Sequence, residues 1–215
     1  MSTDTLMNID LSFINNPVLR GNKFIEKDFL SQSDIHANIK HDETLKSVLE
    51  KMKMKKKSGQ VVSLPTQLLP YYNKLLESKA FDNGFQFVHV GAHHHLYSWE
   101  GYAEYEYKKE INHYDEYNAF AYLFIKKYID KMTWIYPSHY TEADVDSHFK
   151  YMEHIKKNGY YFININQGLR FVVQPVKFTN YMEAKYNIKY LTFVANHLTS
   201  TYSSDDLRAA NQMLF

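Results

Sequence analysis

Apolar positions recur along the chain with two periods. Leu45, Val48, Leu49 and Met52 keep helical spacing behind a capping Asp42, which predicts a helix to about Lys57. A second helix is expected from Ser63-Leu64-Pro65 to about Lys79, with Leu68, Leu69, Tyr72, Leu75 and Leu76 on one face. Pro70 should kink it or move its start to Leu69–Tyr71. Phe85–Val90 and Tyr102–Tyr107 alternate instead, as strands do, and flank Gly91-Ala92-His93-His94-His95. Tyr117, Phe120, Ala121, Phe124, Ile125 and Tyr128 then form a broad stripe, predicting a long helix from Asn112–Asp115 through Met132.

Trp134–Pro137 reads as a short extended piece. Thr141-Glu142-Ala143-Asp144 resembles a capping box opening a helix that runs to about Lys157, where Asn158-Gly159 ends it. Tyr160–Ile165, the turn Asn166-Gln167-Gly168 and Leu169–Gln174 spell a hairpin. Pro175 should end the second strand or put it at a sheet edge. Ile188–Ala195 is a further strand, and Ser203 or Ser204 caps a final helix. Residues 1–40 show weak periodicity and are expected to be an arm packed through Leu11, Phe13, Ile14, Phe24 and Phe29. This order lacks strict strand–helix alternation. It predicts an α+β fold with a mainly antiparallel sheet, helices packed on it, a helical N-terminal part over 1–80 and a body over 81–215.

Composition narrows the function. The net charge of +1 argues against a protein that coats nucleic acid. Only three arginines occur (Arg20, Arg170, Arg208), so extensive base reading is not expected. The absence of cysteine excludes disulfides, thiolate metal sites and cysteine nucleophiles. With neither a basic, apolar leader at the start nor an apolar run of membrane-spanning length, a cytoplasmic protein is expected, with no membrane partner. Lysine, asparagine, tyrosine and isoleucine share A/T-rich codons, a bias common in phages and mobile elements.

The densest chemistry lies in FQFVHVGAHHHLYSWEGYAEYEY, residues 85–107. Adjacent strand residues face opposite ways, so at most two of His93, His94 and His95 meet one ion without a turn. Further ligands would have to come from His89, Glu100, Glu104 or His113, and the spacing fits no metal motif. No metal or cofactor is therefore assigned. His148 and His154 lie six apart on a predicted helix and read as a solvated face. Phosphate-binding and nucleophile-elbow motifs are absent.

Residues 142–198 place a helix before YYFININQGLRFVVQ and then IKYLTFVANH. This element order resembles the C-terminal half of RelE-like bacterial and phage endoribonucleases, including the phage RegB type. The resemblance implies metal-independent RNA cleavage by basic and acid–base side chains on an antiparallel sheet. It points to Arg170 on a strand and His197 at a strand end as catalytic residues.

His94 and His113 complete the candidate acid–base set. Tyr97, Trp99 and Tyr102 are the candidates for stacking on bases of single-stranded RNA. A joint site is expected where the His93–His95 loop meets the Arg170 strand. The alternatives are a non-enzymatic protein that occupies a host protein, favoured by the tyrosine excess, and a histidine-based metal-dependent hydrolase.

Overall fold

A computed structural model describes residues 3–10, 58–81, 84–96, 114, 118–137, 140–150, 152–165, 169–177 and 186–194. The strands are β1 (Asp4–Asp10), β2 (Ser58–Val62), β3 (Phe85–Val90), β4 (Lys131–Tyr136), β5 (His154–Lys157), β6 (Tyr160–Ile165), β7 (Leu169–Lys177) and β8 (Asn187–Val194). The helices are α1 (Leu69–Glu77), entered through a 3-10 turn at Pro65–Leu68, α2 (Ala121–Ile125) and α3 (Glu142–Ser147).

All eight strands form one sheet in the order β2-β8-β1-β3-β4-β7-β6-β5. The run from β2 to β7 is parallel throughout, and only the β5-β6-β7 end is antiparallel. The expected mainly antiparallel α+β sheet is thus corrected to a mixed, mostly parallel one. The expected helical N-terminal part is corrected too, because that stretch supplies β1 at the centre of the sheet and β2 at its edge. The helix expected over 42–57 lies outside the described residues, as do the strand at 102–107 and the C-terminal helix.

Burial explains the central strands. Six consecutive residues of β1, Thr5 to Asp10, are buried, so its two faces are equally enclosed and no alternation survives in the sequence. One face carries Leu6, Phe87, Met132 and Trp134 and packs against Tyr72 and Leu75 of α1, Phe120 and Phe124 at α2, and Val145 and Phe149 at α3. The opposite face buries Met7, Ile9, Val88, Val90, Ile135, Leu191 and Phe193.

Local sequence sets the boundaries. Gln67 accepts hydrogen bonds from the amides of Ser63 and Leu64, and Pro70 sits in the first turn of α1, where it needs no donor. Thr141 and Asp144 cap α3 reciprocally, with Asp144 N donating to Thr141 Oγ1 at 3.2 Å and Thr141 N donating to Asp144 Oδ2 at 2.7 Å. The two long helices expected downstream are shorter. Lys131 and Met132 belong to β4, and His154–Lys157 is a strand paired with β6. Asn158-Gly159 turns that hairpin with both residues at positive φ (52° and 76°). Pro175 pairs with β4 past the last β6 partner, Val173, so its missing donor costs no bond to β6.

Candidate functional site

The chain runs from β1 toward β2, on one side of the sheet, and from β3 toward β4, on the other. Open α/β sheets bind ligands beyond the C-terminal ends of two adjacent parallel strands whose connections leave in opposite directions. Here β1 ends in Asp10 and β3 runs into Gly91–Leu96.

A polar row crosses the sheet just below this end. Thr192, Asn8, His89 and Trp134 are register neighbours on β8, β1, β3 and β4. The Tyr72 hydroxyl lies 2.7 Å from Thr192 Oγ1, and Asn8 Nδ2 donates to the same oxygen at 3.1 Å. Asn8 Oδ1 faces His89 Nδ1 at 2.8 Å, and His89 Nε2 faces the carbonyl of His93 at 2.8 Å. Two acceptors on one imidazole are served together only by the doubly protonated ring. Burial, with His95 beside it, pushes the His89 pKa well below its ordinary value, while Asp10 pulls it up. The neutral ring is served instead when the Asn8 amide is turned over, so that its nitrogen donates to Nδ1 and Nε2–H still donates to His93.

Asp10 and His95 form the ionisable end of the row. Asp10 Oδ2 lies 3.6 Å from His95 Nε2, with both side chains fully buried. His95 has φ +52°, a left-handed conformation that bulky residues rarely adopt. That turn breaks the strand alternation and brings the ring back against His89 and Phe120, at centroid distances of 5.1 and 5.2 Å. Gly91 makes room, since a Cβ there would lie 2.5 Å from His89 Nε2 and 3.2 Å from Asp10 Cβ.

The loop is pinned to β4 and its neighbourhood. Gly91 N donates to Ile135 O at 3.1 Å, Trp134 Nε1 donates to Gly91 O at 2.8 Å, and the Tyr140 hydroxyl donates to Ala92 O at 3.3 Å. His94 is fully engaged: Nε2 donates to His148 O at 3.1 Å, Nδ1 accepts from Leu96 N at 3.1 Å, and the ring stacks on Phe149. Burial lowers its pKa to about 3. His93 and His148, half-buried, meet at 5.4 Å on the outer side of the loop. Burial lowers them to about 4 and about 2, so both rings are neutral near pH 7. His148, expected on a solvated helix face, instead contacts the edge of Trp134 and stacks on Tyr140.

Of the other expected site residues, the structure describes Arg170. Arg170 is exposed near the start of β7, with its guanidinium 6.0 Å from the centre of the Phe162 ring. It lies six residues before Val176, the partner of Ile135, and hence about 20 Å along the strand direction from the histidine loop. The structure does not bring Arg170 and His94 together. His113, His197, Tyr97, Trp99 and Tyr102 lie outside the described residues. Among the described residues, no three His, Asp or Glu side chains are arranged to hold one ion, and no helix is long and apolar enough to cross a membrane. Asp10, Asn8 and His95 were missed as a group because β1 was not legible as a strand. The available signal is the segment TLMNID, in which Leu6, Met7 and Ile9 sit among polar residues and an acid closes the stretch.

No family model, no curated protein and no solved structure matches the chain.

Proposed function

We propose that the chain is a hydrolase whose reaction centre is the C-terminal edge of the sheet between β1 and β3. The observation that carries this reading is the Asp10–His95 pair, a carboxylate and an imidazole buried together at the switch point of a parallel sheet. In this reading Asp10 orients and charge-stabilises His95, which exchanges a proton with the attacking water or the leaving group. His93, half-buried at the outer side and neutral, contacts the substrate.

The ribonuclease expectation rested on an antiparallel sheet formed by the C-terminal segment. In the fold β7 also pairs with β4, and β8 lies across the sheet beside β1. RNA therefore enters as one substrate to be tried beside simpler esters.

The test uses p-nitrophenyl phosphate, bis-p-nitrophenyl phosphate, p-nitrophenyl acetate and an oligoribonucleotide, each with EDTA and with added Zn²⁺ or Mn²⁺. Hydrolysis of at least one, falling about 10²- to 10⁴-fold in Asp10→Asn with folding retained, is the expected result. Activity that EDTA leaves intact supports the acid–base reading, and loss restored by the metal counts against it. No hydrolysis of any substrate, or an unchanged rate in Asp10→Asn, rejects the assignment.

A further inference from the structure

The opposite end of the sheet holds a cavity of about 600 Å³ that the reaction centre does not use. Three cations line it: Lys79, Lys127 and Arg170, with Asp130 as the one carboxylate among the described lining residues. Phe81, Phe85 and Phe124 supply aromatic wall. Phe81 stacks on Phe85 at 4.5 Å and Phe124 on Phe171 at 4.4 Å, so the wall is built of packed rings.

The two lysines are placed in an unusual way. Helix α1 closes with Ala80 N donating to Leu75 O and Lys79 N donating to Leu76 O. Helix α2 closes identically, with Tyr128 N donating to Leu123 O and Lys127 N to Phe124 O. Both are Schellman closures, which need one residue in the left-handed region and favour glycine there. Here that residue is lysine in each case, at φ +55° and +58°. A lysine at a helix C-terminus opposes the helix dipole, which any nearby position in the last turn would also achieve. Dipole compensation does not explain why both helices put a side chain in the strained position, or why both side chains line one cavity. Backbone strain retained twice around a single concavity points to a ligand.

We propose that this cavity binds a planar aromatic ring carrying a phosphate, of mononucleotide size. The volume is within the range of small-molecule sites. The phenylalanine wall takes the ring, and the cations Lys79, Lys127 and Arg170 take the phosphate, Arg170 offering a bidentate fork. This site is separate from the Asp10–His95 centre and does not depend on its activity.

Calorimetric titration of the full chain tests it with AMP and phenyl phosphate as probes. Adenosine and inorganic phosphate, the two halves of AMP, are the comparisons. At least one ring-phosphate probe should bind one to one, at least tenfold more tightly than either half, and weaken with added salt. Lys79→Gly and Lys127→Gly should each raise the melting temperature, because glycine relieves the left-handed strain, and each should weaken binding about tenfold or more. Arg170→Gln should weaken it likewise, whereas Asp10→Asn should leave it unchanged. The proposal is overturned if neither AMP nor phenyl phosphate binds below millimolar concentration. It is overturned equally if the glycine variants stabilise the fold and bind as the parent does, which would reduce the lysines to helix ends.

Discussion

Gly91 shows how one missing methyl group sets the histidine loop. A Cβ would stand 2.5 Å from His89 Nε2 and 2.9 Å from Cε1, in contact with a ring that is fully buried and held at both nitrogens. The ring has little room to move, because Phe120 and His95 pack against it at centroid distances of 4.9 and 5.1 Å. Gly91→Ala should therefore cost about 1–3 kcal/mol, as overpacking of a tight core does. Urea denaturation measures this directly, and a variant as stable as the parent would show that the loop lifts without strain. The glycine and the histidines were all visible in the sequence as a dense patch, but their partners were not. His89 depends on Asn8 and His95 on Asp10, residues some eighty positions earlier. Spacing along the chain carries no information about such pairs. Likewise, His94 was an attractive acid–base candidate by type alone. Its two nitrogens are spent on His148 O and Leu96 N, a use that only the fold reveals.

Among the elements, those governed by local chemistry were the legible ones. The α1 start at Leu69, the Thr141–Asp144 capping box, the β6–β7 hairpin and β8 all follow from residues within a few positions of one another. Elements whose pattern is dictated by distant packing were not. Six buried residues in a row erase the alternation of β1, and β2 is a strand only because β8 offers it an edge. Asn158-Gly159 shows a third cause, a signal with two meanings. The same dipeptide can close a helix or turn a hairpin, and the pairing of His154–Lys157 with Tyr160–Ile163 decides for the turn. At Gly159 (φ +76°) a Cβ would meet nothing within 4 Å, so the cost of Gly159→Ala is conformational alone. The expected loss is about 1–2 kcal/mol by equilibrium unfolding. Thr141→Ala removes the oxygen that accepts from Asp144 N and should cost about 1 kcal/mol in the same assay. If Gly159→Ala costs nothing while Thr141→Ala costs its full amount, the turn assignment fails and the cap stands.

Across the whole molecule, the sheet gathers neutral histidines where its parallel strands end, and this makes the fold sensitive to acid. His94 is fully buried and lowered to about 3, while His93 and His148 are half-buried and lowered to about 4 and about 2. Burial is the leading cause in each case, and mutual repulsion among the rings adds to it. The unfolded chain titrates each imidazole near pH 6.5. Between that value and the folded one, the unfolded state holds a proton that the folded state refuses. Stability is therefore complete above about pH 6.5 and falls as the pH drops toward the folded values. Each histidine contributes at most about 1.4 kcal/mol per pH unit inside its window, and screening of the two half-buried rings narrows their windows, so the combined slope is about 1–4 kcal/mol per unit. A domain of ordinary stability, about 5–15 kcal/mol, would lose much of it between pH 6 and pH 4. Urea midpoints from pH 7.5 to 4.5, taken in EDTA to remove any bound cation, should show this descent. His148→Phe keeps a flat ring against Trp134 and Tyr140 but cannot take a proton. Its descent should be shallower by up to about one proton's worth. A parent whose stability is flat from pH 7.5 to 5 would mean that the loop opens and hydrates its histidines well before the sheet unfolds. An equal slope in parent and variant would remove His148 from the acid-sensitive set.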